Sequence, residues 1–128
     1  MPDNRTAVKQ ADEIYRRNDR DPVRRAASIA LLASHGVWSM PQICAIAGAT
    51  MYEVRRLVQK HDQTGGRFHP DTLTLILEEF RIRDLGQTND LLTAKIVNDG
   101  TSIIMLARLL DVKVSEIRTQ VRRAGRAG

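Results

Sequence analysis

The histidines and the one cysteine, the side chains best suited to zinc and thiolate chemistry, are few in this chain of 128 residues. They are His35, Cys44, His61 and His69, too scattered to form a recognised metal-ligand spacing. Glu78 and Glu79 are adjacent, so on a helix they point roughly 100° apart and read as a solvated edge, not as an acid–base pair. A glycine-rich phosphate loop needs a strand before it, and no alternating strand pattern of useful length occurs. Enzyme chemistry, a metal and a cofactor are therefore not expected. What remains is cationic chemistry. Twenty Lys and Arg against fifteen Asp and Glu leave a formal charge of +5, which favours an anionic partner such as nucleic acid or a membrane surface. The charge is uneven: Lys113, Arg118, Arg122, Arg123 and Arg126 close the chain against Glu116 alone, whereas residues 71–90 are rich in acids.

Length bounds what can hold these groups in place. The chain fits one ordinary domain, or two small units sharing a core. Apolar residues make up 42% and aromatics only 4%, so Leu, Ile, Val and Ala must supply the packing. No apolar run approaches the roughly 20 residues that span a bilayer, and the polar start does not resemble a signal peptide. The expectation is a soluble, cytoplasmic protein without membrane contact. A lone Cys44 closes no internal disulfide and reads as a small packing residue.

Helix signals punctuate the whole length. Residues 1–21 form a polar N-terminal helix or arm with a stripe of Ala7, Ala11, Ile14 and Tyr15. Asp21-Pro22 starts the next helix, with Val23, Ala26, Ile29, Ala30 and Leu32 at helical spacing before Gly36. Ser39 and Gln42 have capping-box spacing, Pro41 sits in the first turn, and Trp38 and Ile43 suit a hydrophobic staple. Gly48 breaks that helix, and Thr50 with Glu53 opens another. The segment around Gly65-Gly66 is a linker. A strongly apolar helix follows over residues 73–85, with Leu73, Leu77 and Phe80 on one stripe and Leu75, Ile76 and Ile82 widening it. So wide a stripe calls for burial on several sides. The reading is all-α, with seven or eight short helices.

The third and fourth helix signals then recur. Aligning Val54 with Ile117 (117 − 54 = 63) pairs Ser39 with Ser102, Ile43 with Leu106, Cys44 with Ala107, Ala47 with Leu110 and Met51 with Val114. Skipping one residue upstream pairs Gly36 with Gly100. The chain divides into two three-helix units, residues 22–62 and 88–128, joined by the linker and central helix of residues 63–87.

The segments "QICAIAGATMYEVRRLV" and "MLARLLDVKVSEIRTQV" resemble the helix-turn-helix of DNA-binding proteins. Each has a small residue, a Gly or polar turn residue four positions on, and a Val or Ile six after that. Asp111 departs from the pattern by standing where glycine is usual; Asp tolerates the left-handed backbone this turn requires. The general look is that of compact phage or mobile-element regulators. The resemblance implies sequence-specific binding of double-stranded DNA and transcription regulation. The second helix of each unit would then enter the major groove. Carried over residue by residue, the DNA-binding positions are Thr50, Met51, Tyr52, Arg55 and Arg56, then Lys113, Val114, Ser115, Arg118 and Thr119, with Arg122 and Arg123 tracking phosphates. A second reading stays open: a helical protein–protein interaction or assembly module, such as a phage structural component or polymerase-binding factor. Its homodimer face would be the helix running from Leu73 to Leu85.

Overall fold

The computed structural model describes residues 4–63 and 71–127; Gly65, Gly66, His69 and the rest of residues 64–70 lie outside them. Within the described residues there are eight helices and no strand: α1 (Asn4–Asn18), α2 (Pro22–Ser34), α3 (Met40–Ala47), α4 (Met51–Lys60), α5 (Thr72–Asp84), α6 (Asp90–Asn98), α7 (Ile103–Leu110) and α8 (Val114–Ala127).

Local chemistry sets these boundaries. The Asp21 carboxylate accepts from the N–H groups of Val23 and Arg24 and so starts α2. Both expected capping boxes form, Ser39 with Gln42 on α3 and Thr50 with Glu53 on α4. Trp38 and Ile43 are both buried in the core. The turns after α3 and α7 close alike. Gly48 (φ 63°) and Asp111 (φ 57°) are left-handed. The next N–H, from Ala49 or Val112, reaches back to the carbonyl of Cys44 at 3.2 Å or Ala107 at 2.9 Å. These partners differ by the same offset of 63 (107 − 44 and 112 − 49), as do the starts of α4 and α8 (114 − 51). The duplication thus extends to individual hydrogen bonds.

α2 is the hub of the packing. It touches α1, α3, α4 and α7, and Ala27 through Leu32 are all buried. Four partners demand more than the expected stripe, which omitted Ala27 and Leu31 and included Val23, exposed in the first turn. One apolar cluster draws residues from all eight helices, so α1–α4 and α5–α8 share one core. The polar first helix docks: Ala11 and Ile14 are fully buried, and α1 packs on α2 and α5. Arg25 secures this corner by donating to the Tyr15 hydroxyl at 3.2 Å and to the last carbonyl of α3, at Ala47.

α5 spends its apolar stripe inside the chain, burying Leu73, Ile76 and Phe80, while Leu85 just beyond its end is exposed. Glu79 corrects the sequence reading. It is no solvated edge but fully buried, in a closed ring of hydrogen bonds joining α5, α6 and α8. Arg83 donates to Glu79 and to the Gln120 carbonyl, each at 2.8 Å. The Gln120 amide donates to Thr93 at 3.3 Å, and the Thr93 hydroxyl donates to Glu79. The adjacent carboxylate Glu78 stays outside, paired with Arg81 at 2.8 Å.

The left-handed turns give a paired stability test. Gly48→Ala is expected to cost about 1–2 kcal/mol in urea unfolding, because a Cβ disfavours that backbone. At Asp111, substitution by Ala should destabilise, while Asp111→Gly should leave stability unchanged or raise it.

Candidate nucleic-acid interface

α4 and α8 each turn one face inward and one outward, and the two do so in the same register. Val54 and Ile117 have no accessible surface and anchor the helices from behind. Tyr52, Arg55, Arg56 and Gln59 are exposed on α4, and their equivalents Ser115, Arg118, Thr119 and Arg122 are exposed on α8. Tyr52 is 70% exposed, and the Arg56 guanidinium lies over its ring at 5.8 Å from the centroid. A cation over an aromatic face holds both groups in an extended posture at modest energy.

Position by position, most expected contact residues are accessible. Thr50 is exposed, although its hydroxyl is occupied in capping Glu53. Met51 is half exposed, while its equivalent Val114 packs partly against the core. Lys113 is exposed at the start of α8. Arg55 and Arg118 stand at equivalent places, and neither takes part in the salt bridges among the described residues. Arg123 differs: Asp90 on α6 holds it from both carboxylate oxygens, at 3.1 and 3.2 Å. Its charge is largely answered within the chain, which leaves Arg118, Arg122 and Arg126 as the outward cations of α8. On the first unit, Arg25, Arg56 and Lys60 line a cleft of about 610 Å³ whose one carboxylate is Glu53.

A second group of side chains, which sequence reasoning left scattered, locks the end of α4 to the start of α7. The Gln63 side chain donates to the Gly100 carbonyl and accepts from the Ser102 N–H, both at 2.8 Å. The Ser102 hydroxyl donates to the His61 carbonyl and also caps α7 by accepting from the Met105 N–H. The His61 ring is buried, with Nδ1 at 2.7 Å from the Leu57 carbonyl and Nε2 at 3.3 Å from Arg108. A guanidinium only donates, so Nε2 accepts and the proton sits on Nδ1. Burial lowers the His61 pKa below 6.5 against the raising effect of the Leu57 carbonyl, and the Arg108 charge lowers it further. The signal for this lock was present in part, since Ser102 aligns with a capping serine. Its long-range half was not.

Among the described residues no group of His, Cys, Asp and Glu could hold a metal ion, and no helix is long and apolar enough to cross a membrane. Comparison with protein-family models, with curated proteins and with solved structures finds no match.

The lowered His61 pKa fixes a sign. Below pH 6.5 the unfolded chain takes up a proton that the folded ring resists, so stability falls as pH drops and levels off below the folded value. In urea titrations between pH 7.5 and pH 5, His61→Gln should lose less stability than the wild type. Parallel curves would mean that this ring does not titrate differently on folding.

Proposed function

We propose that the chain binds double-stranded DNA sequence-specifically, with α4 and α8 as the reading helices of two helix-turn-helix units, and that it regulates transcription. The observation that carries this reading is the matched pair of outward faces. Each is fixed from behind by a buried Val54 or Ile117, and each presents, at the same register position, an arginine with no salt bridge among the described residues.

Physical scale supports it. A helix of α4's 10 residues is about 15 Å long and one of α8's 14 about 21 Å. Either enters a major groove about 12 Å wide. An arginine in the first turns of such a helix grips guanine O6 and N7 with two hydrogen bonds, discriminating by about 1–3 kcal/mol. Arg122 and Arg126, further along α8, suit phosphate contacts, which position the protein without reading sequence. Two readers on one rigid core also reinforce each other, because engagement of the first holds the second at high local concentration.

The interaction-module reading draws less support. Its main candidate face, on α5, is largely consumed by the chain's own core.

The test is duplex selection from a random pool, followed by titration at two salt concentrations. Log affinity should fall linearly with log salt, as cations displace counterions from phosphates. The double variant Arg55→Ala/Arg118→Ala should bind the selected duplex at least ~10-fold more weakly with an unchanged melting temperature. Equal binding by the variant, or no duplex enriched at any salt, would refute the assignment.

A further inference from the structure

The internal contact between the two units is not symmetric. α2 of the first unit packs along α7 of the second, and α7 corresponds to α3 by the offset of 63 (103 − 40). If a two-fold axis related the units, α6, the counterpart of α2, would pack equally along α3. It does not: α3 and α6 make no comparable contact. Burial says the same independently. Met105 and Leu109 on α7 are fully buried, whereas their equivalents on α3, Gln42 and Ile46, are exposed. Leu31 on α2 is fully buried, whereas its equivalent on α6, Lys95 (95 − 31 = 64), is exposed. The lock from His61 and Gln63 to Gly100 and Ser102 likewise has no counterpart at Ser39 among the described residues. The interface is head-to-tail, using a different surface of each unit.

From this asymmetry we infer that the two units address duplex DNA with the same polarity, so that the target is two half-sites in direct order and not an inverted repeat. This rests on the reading of α4 and α8 as DNA-contacting helices. A straight duplex relates one stretch of major groove to another in two ways. Rotation with translation along its axis keeps strand polarity, and a perpendicular dyad inverts it. Two-fold proteins match the dyad, which is why their operators are palindromic. Units related by anything other than a two-fold cannot match it. If α4 and α8 dock equivalently on one duplex, only the polarity-preserving operation is left. The half-sites differ in sequence, because Tyr52 and Arg56 stand on α4 where Ser115 and Thr119 stand on α8.

Making the two faces alike turns the inference into a measurement. The full-length variant Ser115→Tyr/Thr119→Arg/Arg122→Gln gives α8 these outward residues of α4, and the converse variant Tyr52→Ser/Arg56→Thr/Gln59→Arg gives α4 those of α8. All six positions are exposed, and a wild-type melting temperature identifies whichever variant is folded. Duplexes are selected from a random pool with that variant. The enriched half-site is then rebuilt twice in one duplex, in direct or in inverted order, at the selected spacing. Direct order is expected to bind at least ten-fold more tightly. Equal or tighter binding to inverted order overturns the inference while leaving DNA binding intact, as does enrichment of a single half-site. Failure of the wild type to enrich any duplex removes the DNA-binding reading and this inference together.

Discussion

α2 touches α1, α3, α4 and α7, and its residues from Ala27 to Leu32 are sealed from solvent. A helix surrounded on so many sides is possible only where some side chains are small, and Ala27, Ser28 and Ala30 leave room for neighbouring backbones while Ile29, Leu31 and Leu32 fill the gaps. Two short helix pairs standing alone would each bury little. Sharing α2 lets the second pair pack on the first, so that one cluster replaces two marginal ones. The outward faces of α4 and α8 inherit their relative placement from that shared core.

Polar groups then set what apolar packing leaves loose. Hydrophobic contact is non-directional, and a helix such as α8 can rotate about its own axis at small cost unless something specific resists. The ring of Glu79, Arg83, Gln120 and Thr93 resists it, because any rotation of α8 pulls Gln120 out of register with both partners. Removing Arg83 or Glu79 would strand its charged partner, a loss of about 3–5 kcal/mol in comparable buried pairs. Gln63 and Ser102 act in the same way between α4 and α7. In each case a directional bond fixes the angle at which a cationic face is presented.

Local patterns were legible in the sequence and remote partnerships were not. Helix starts at Ser39 and Thr50 announced themselves because capping involves residues three apart, and the repeat was visible because it preserves residue chemistry at fixed spacing. The left-handed Asp111 could be anticipated by alignment with Gly48. Glu79 was misread because a charged residue beside another on a helix is usually solvated, and its partners lie four, fourteen and more positions away on other turns and helices. Whether α1 docks is left open by the sequence for a similar reason: a thin stripe of Ala11, Ile14 and Tyr15 suffices only if a partner surface exists, and α2 and α5 supply it from elsewhere in the chain. Of the candidate contact residues, exposure followed from helical phase. The engagement of Arg123 by Asp90 did not, since the two are far apart in sequence.

A head-to-tail join has no built-in end: the operation that stacks the second unit on the first could stack a third, and so on into a fibre. The surfaces such growth would use are the outer side of α3 and the outer side of α6. There the chain carries Gln42 where α7 has Met105, and Lys95 where α2 has Leu31. Covering Lys95 would strip water from an ammonium group whose carboxylate partner, Asp99, lies 3.6 Å away, and desolvating it carries a cost. Gln42 and Lys95 thus make the two outer faces more polar than the buried contact between α2 and α7 that they correspond to.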